Sequence, residues 1–265
     1  MPTYSVHAVN VSSFPLGESD KVLTLFSAER GLIRAVAKGA RKPGSKIAGR
    51  ADLLSVNRVL IATGRSLDII TQAETVESFP KLRTDLTRLS YCLYYAELTA
   101  VFGQGLSEES DAYYAFLIDS LRKQAEAKAD ASALCLEFEM SLLALLGYKP
   151  ELTVCVLCRS PLSDYSLAGF HNDLGGIVCE KCFMASKRSA VAEDFGLDVP
   201  LKLDRHITPL VWKRLVLASS GSLSRETSEQ ESAKNATRAA LRLIQSYIEF
   251  RAGKKMRALE LIERD

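Results

Sequence analysis

The chain has 265 residues, a formal net charge of +2, 47% hydrophobic and 25% charged residues. That is ordinary globular composition, which excludes a largely disordered chain and allows one large domain or two to three small ones. No run of eighteen apolar residues is present, and the opening "MPTYSVHAVNVSS" lacks the basic and apolar regions of a signal peptide, so a cytoplasmic protein is expected.

The near-neutral total hides an asymmetry. From Arg30 to Arg65 there are nine Lys or Arg and one acid, Asp52, a local balance of +8 that leaves −6 for the remainder. A local positive field of this kind suits a polyanion better than the overall charge suggests.

In chain order, the first eighty residues read as strands. An early strand lies near Tyr4 to Val11. Val22 to Phe26 and Leu32 to Ala37 form a hairpin around a turn ending at Gly31, and "DLLSVNRVLIAT" and "LDIITQAETVE" follow on either side of Gly64. Five short strands with little helix predict a small barrel of the OB type, with an SH3-like barrel as the nearest rival. Between strands three and four falls a flexible Gly/Pro-rich loop, within "RAVAKGARKPGSKIAGR" at 34–50, which holds six cations and no carboxylate.

Past Pro80 the period changes. Leu82, Leu86, Leu89, Leu93 and Leu98 recur at roughly helical spacing, and 111–128 and 131–146 read as further helices before Gly147 and Pro150. After a cysteine-bearing segment, helices are predicted over 208–218 and from Thr227 to about Arg251, joined by "SSGSLS". The fold class is therefore α+β and multidomain. The expected divisions are 1–80 for the barrel, 81–150 with 186–265 for a helical domain, and 151–185 for an inserted metal element.

Four of the six cysteines form Cys155-x2-Cys158-x20-Cys179-x2-Cys182. Two CxxC knuckles about twenty residues apart are the spacing of a four-thiolate zinc ribbon. Four sulfurs close the shell, so one structural Zn²⁺ is expected rather than a catalytic one. Redox and disulfide readings are disfavoured: there is no βαβ context for a thioredoxin-type CxxC, and disulfides do not suit the cytoplasm. Cys92 and Cys135 sit in helical apolar patterns and read as buried small hydrophobes.

Enzyme signals are weak. "GARKPGSK" has the glycine spacing of a P-loop, but Ser45 precedes Lys46 and no helix follows. His7, His171 and His206 share no motif, and no nucleophile elbow, zincin or dinucleotide fingerprint occurs. The chain is not expected to be an enzyme.

A loop of cations without anions suits a phosphate backbone, which it would neutralise with release of counterions and little sequence preference. The expected contacts are Arg34, Lys38, Arg41, Lys42, Lys46 and Arg50. Lys81 and Arg83 are weaker candidates, as is the cluster Arg251, Lys254, Lys255 and Arg257, which could instead pair with Glu249, Glu260 and Glu263. Of the aromatics Tyr4, Phe14 and Phe26, the last reads as core, so binding through phosphates rather than stacking is expected.

The run "PLGESDKVLTLFSAERGLIRAVAKGARKPGSK" at 15–46 closely resembles the N-terminal signature of the bacterial recombination mediators of the RecO family, and "YIEFRAGKKMRALELI" at 247–262 resembles that family's C-terminal end. The resemblance implies an OB domain, a helical region and a zinc element. It also implies binding of single- and double-stranded DNA, annealing of complementary strands and, with RecR, loading of RecA onto DNA coated by single-strand-binding protein (SSB), whose C-terminal tail is an expected partner. It would place the protein near the nucleoid. Two other readings remain open, a protein adaptor with DNA contact secondary and an RNA-binding OB protein; a zinc-dependent nuclease is disfavoured by the closed sulfur shell.

Overall fold

A computed structural model describes residues 2–187, 201–226 and 230–262. By contacts the chain divides into two compact units, one of residues 1–128 with 255–265 and one of residues 129–254. The change of pattern at Pro80 is thus a change of secondary structure within one unit.

The first unit opens with five strands, β1 (Thr3–Leu16), β2 (Asp20–Ser27), β3 (Gly31–Ala37), β4 (Val56–Ala62) and β5 (Asp68–Glu77). They close into a barrel in the order β1-β2-β3-β5-β4, with β1 pairing antiparallel to both β2 and β4 and β3 pairing parallel to β5 through Ala35–Asp68 and Val36–Ile69. This is the OB-like arrangement. β1 runs past the expected Val11 because it serves two neighbours: Thr3 to Val9 pair with β4, and Ala8 to Leu16 with β2. The register shifts between Asn10 and Ser12, a bulge that bends the strand from one partner to the other.

Alternation fixes the two faces. Val6, Ala8, Leu23, Leu25, Ile33, Ala35, Ala37, Val59, Ile61 and Ile70 fill the interior. Phe26 is fully buried, as the sequence indicates, but outside the barrel, edge-on to Tyr113 with ring centroids 5.0 Å apart. Tyr113 belongs to α2 (Ser110–Glu126), which follows α1 (Leu86–Phe102). Asp85 caps α1, accepting from Arg88 N at 3.0 Å. Gly103 ends it where a Cβ would come within 3.0 Å of Leu32 Cδ1 and 3.3 Å of Phe26 Cδ2, so the helix end packs closely on β2 and β3 only because the side chain is absent. Glu97 of α1 accepts from Arg257 N and Ala258 N at 2.9 and 2.7 Å, tying in the short α7 (Leu259–Ile262).

The second unit holds α3 (Ala131–Leu145), the hairpin β6 (Leu167–His171) and β7 (Gly176–Cys179), α4 (Glu180–Ser186), β8 (Arg205–His206), α5 (Pro209–Ser219) and α6 (Glu231–Ala252). β6 lies centrally in a three-stranded sheet of order β7-β6-β8. Helix caps Asp130 and Thr208 start α3 and α5. Trp212 Nε1 donates to Leu152 O at 2.8 Å, which pins the cysteine segment to α5. The expected start of the last helix, Thr227, lies outside the described residues, as does Glu263.

Among the described residues, no helix is long and apolar enough to cross a membrane.

Candidate nucleic-acid interface and metal centre

The basic stretch leaves β3 at Ala37 and runs to β4. Its glycines and proline suggested a flexible loop, but its backbone is closed by consecutive turns: Lys42 N to Gly39 O at 3.0 Å, Ser45 N to Lys42 O at 3.1 Å, Ala48 N to Ser45 O at 3.2 Å and Ala51 N to Ile47 O at 2.9 Å. Ala40 and Ala51 are buried in the barrel's own core, with Ile47 packed against them. The loop plugs one end of the barrel, and burying these apolar groups is what organises it.

Its base is anchored by Asp20. The carboxylate accepts from Gly39 N and from Ser19 Oγ, each at 2.8 Å. Arg41 N donates to Ser19 O at 2.9 Å, and Arg41 Nη1 to Gly17 O at 2.7 Å. The Gly39 amide, then the Ser19 hydroxyl, then Lys38 and Lys42 hold the Asp20 carboxyl below its ordinary range. Asp20 is a positioning residue that sequence reasoning missed; the signal was an acid at the start of β2, in line to face the cationic loop.

With the backbone held inward, the cations point out. Arg34, Lys38, Arg41, Lys42 and Lys46 are all exposed. Lys38, Arg41 and Lys42 gather around the Gly17–Asp20 turn. Arg34 stands on the outer face of β3, opposite Thr24 of β2, with its guanidinium carbon 5.6 Å from the centroid of the Phe14 ring on β1. The strand 2–3 face of an OB barrel is the one on which oligonucleotides lie. Phe14 is 40% exposed there, so this face offers one ring as well as charge.

The remaining candidates are placed differently. Arg50 is half-buried and its Nη1 donates to Lys46 O, so its side chain braces the loop. Its carbonyl accepts from both Asn10 Nδ2 and Asn57 Nδ2. Lys81 and Arg83 are exposed on the 3₁₀ turn Pro80–Thr84, and Arg83 pairs with Asp52 at 3.8 Å. Tyr4 is engaged within the barrel: its hydroxyl bonds to Asp68 at 2.5 Å and the Arg30 guanidinium covers its ring at 4.0 Å. Partial burial, then the Asp68 carboxylate, push its pKa up to about 12. Of the C-terminal cluster, Arg251 and Lys254 belong to the second unit and Lys255 and Arg257 to the first.

In the second unit the four cysteines converge, with all Sγ atoms within 4.8 Å of one another. Cys158 and Cys179 Sγ are 3.8 Å apart. That is far beyond a disulfide bond of about 2.05 Å and close to the edge of a tetrahedron with metal–sulfur bonds of about 2.3 Å. The first knuckle is a tight turn in which Arg159 N donates to Cys155 O at 2.9 Å and Arg159 takes φ +60°. The second starts α4, where Cys179 caps the helix and its Sγ accepts from Cys182 N at 3.5 Å. As bare sulfurs three of them differ: a hydrogen bond from Ser160 pulls Cys158 down to about 6, while burial pushes Cys179 and Cys182 up. An all-sulfur donor set, with Cys155, Cys179 and Cys182 buried and Cys158 exposed, fits a soft or borderline metal ion. His171 is engaged elsewhere, its Nδ1 accepting from Leu174 N at 3.4 Å. Cys92 and Cys135 are buried in helices, and burial raises the Cys92 thiol to about 12.

Comparison with known proteins agrees with these features in order. The family model "Recombination protein O N terminal" matches residues 1–79, and "Recombination protein O C terminal" matches residues 83–260. A protein of Nostoc sp. named DNA repair protein RecO is 31% identical, across 98% of this chain and 95% of its own length. The protein of that name from Gloeobacter violaceus is 33% identical across 98% and 93%, and that from Symbiobacterium thermophilum 36% identical across 69% and 72%. A barrel matched by one half of the family's pattern and a helical, cysteine-bearing region matched by the other leave one conclusion: the chain belongs to the recombination protein O (RecO) family.

Proposed function

We propose that this protein is a DNA-repair and recombination mediator that binds single- and double-stranded DNA without strong sequence preference and anneals complementary strands. The observation that carries the reading is the loop 38–46, fixed inward by Ala40 and Asp20 while Lys38, Arg41, Lys42 and Lys46 face solvent. Such a row meets phosphates and leaves base edges unread. Annealing requires that two like-charged strands be brought together with their repulsion screened, which a cationic surface does without breaking a covalent bond; the protein acts as a mediator, not an enzyme. Following the family resemblance, RecR and the C-terminal tail of SSB are its proposed partners, with RecA loading on SSB-coated DNA the outcome, in the cytoplasm at the nucleoid.

Cys155, Cys158, Cys179 and Cys182 would hold one Zn²⁺, which would tie the first knuckle to the start of α4. Its proposed role is structural, since the chain's own four sulfurs account for a tetrahedral shell.

The test is strand annealing with complementary oligonucleotides, bare and SSB-coated, comparing wild type with a protein carrying Arg41→Glu, Lys42→Glu and Lys46→Glu. Annealing is expected to be lost on both substrates while thermal unfolding stays within a few degrees of wild type. Annealing at the wild-type rate by the charge-reversed protein would refute the assignment.

A further inference from the structure

We propose that the second unit carries its own single-strand site, an aromatic and cationic patch built on Tyr148, Phe250 and Arg251, in which unpaired bases stack on the two exposed rings. The inference rests on the nucleic-acid reading above and adds to it a place for a second strand.

The patch forms where two chain segments meet. Gly147, at φ +75°, turns the chain after α3 and delivers Tyr148 and Lys149. The last two turns of α6 deliver Tyr247, Phe250 and Arg251, and Gly253 at φ +64° ends the helix before Lys254 is presented. One guanidinium organises the set: the Arg251 Cζ lies 5.4 Å from the Tyr148 ring centroid, 5.0 Å from that of Tyr247 and 5.5 Å from that of Phe250.

Part of this is structural. Tyr247 is buried and its hydroxyl donates to Tyr148 O at 3.1 Å. Arg251 Nη2 donates to Asn172 O at 3.2 Å and Asp173 O at 3.3 Å, which holds the β6–β7 turn. These bonds make the platform rigid, so little ordering remains to be done when a ligand arrives. They do not account for Tyr148 and Phe250, which are 40% and 44% exposed. Two large rings beside a shared cation, with Lys149 and Lys254 exposed on the flanking residues, combine faces for bases with charges for phosphates. The nearby carboxylates do not reverse the balance: Asp173 is exposed, and Glu249 is half-buried and already partnered. Bases within a duplex offer no free face to these rings, so the patch favours unpaired strands.

The experiment removes the barrel's cations first. A protein with Arg41→Gln, Lys42→Gln and Lys46→Gln is titrated by fluorescence anisotropy with a labelled 20-nucleotide strand and with the matching duplex. Adding Tyr148→Ala and Phe250→Ala is expected to weaken the single strand by about 10-fold or more and the duplex by less than about 2-fold. Tyr148→Phe with Phe250→Tyr, which keeps the rings, is expected to restore the affinity and so separates stacking from a folding defect. Equal loss on both DNAs, no loss on either, or no restoration by the ring-preserving pair would overturn the inference while leaving the loop assignment untouched. If instead the three glutamines do not weaken binding relative to wild type, the loop assignment fails and the patch is judged on the aromatic pair alone.

Discussion

Neutralising three loop cations should lower both the affinity for DNA at low salt and the dependence of that affinity on salt. Five cations are presented outward on the loop and the adjoining face: Arg34, Lys38, Arg41, Lys42 and Lys46. If each meets one phosphate, the slope of log K against log salt on single strands is about −3.5, taking roughly −0.7 per neutralised phosphate. Raising salt from about 50 to about 200 mM then weakens wild type by roughly 130-fold. With Arg41→Gln, Lys42→Gln and Lys46→Gln the slope falls to about −1.4 and the same change costs only about 7-fold. The fold should tolerate the change, because the three side chains are exposed and only Arg41 gives up a bond, to Gly17 O; an exposed bond of that kind is worth about 1 kcal/mol or less. Anisotropy of a labelled oligothymidylate at four salt concentrations measures both slopes. A slope reduced by less than about 1 would show that the phosphates lie elsewhere.

Three further outcomes are expected. Asp20→Ala removes the acceptor for Gly39 N, so the amides of Gly39 and Arg41 should exchange at least about 10-fold faster; unchanged protection would discount Asp20 as the anchor. Because the folded Asp20 carboxyl lies below its ordinary value, the tether holds at neutral pH and above the unfolded pKa, and is lost as pH falls through the folded one, so wild type should approach the variant's exchange behaviour in acid, once intrinsic rates are corrected. Arg159→Gly trades a left-handed non-glycine residue, a cost of about 1–2 kcal/mol, against glycine's extra chain entropy of about 0.5–1 kcal/mol and an exposed ion pair to Glu151 at 3.5 Å; chemical denaturation should show stability unchanged or up to about 1 kcal/mol higher, and a loss above that would mean the arginine holds the knuckle. Stripping the metal with a strong chelator should destabilise the second unit by at least about 3 kcal/mol without altering the salt slope of DNA binding, and an unchanged melting profile would mean the four sulfurs hold no metal that matters to folding.

The features legible in the sequence are those with a fixed local period or spacing. Alternation in "VLTLFS" and "LIRAVA" set two strands and their turn, and the two CxxC pairs named the four-cysteine cluster because each knuckle is a local turn that aims its sulfurs at one centre. What escaped depends on contacts distant in sequence. The loop's Gly and Pro indicate absence of regular structure, and flexibility does not follow: Ala40 and Ala51 are too small to announce burial, yet both are in the barrel core. β1 extends past Val11 because the bulge between Asn10 and Ser12 breaks the period of two. Arg50 reads as one more cation in the run, but its guanidinium turns back onto Lys46 O. Tyr148 and Phe250 are 102 positions apart and share no motif; only the guanidinium of Arg251 shows them to be neighbours.

The stretch that raises the local charge also completes the barrel, and the two roles constrain each other. Ala8, Ala35 and Ala37 lie in the barrel's interior cluster, and Ala40, Ala51 and the half-buried Ile47 of the loop pack into the same cluster. With those three packed inward, Arg41, Lys42 and Lys46 between them are exposed, while Arg50 is half-buried against the loop's own backbone. Replacing an inward alanine with a larger residue would therefore disturb the placement of charge as well as the core, whereas replacing a cation leaves the plug intact. Self-repulsion among exposed cations would tend to lift the loop from the barrel, and Asp20 opposes this at the one point where its carboxylate reaches both the backbone of Gly39 and the field of Lys38 and Lys42. A phosphate meeting the proposed cations would add to that neutralisation, so binding there is expected to favour closure of the barrel end.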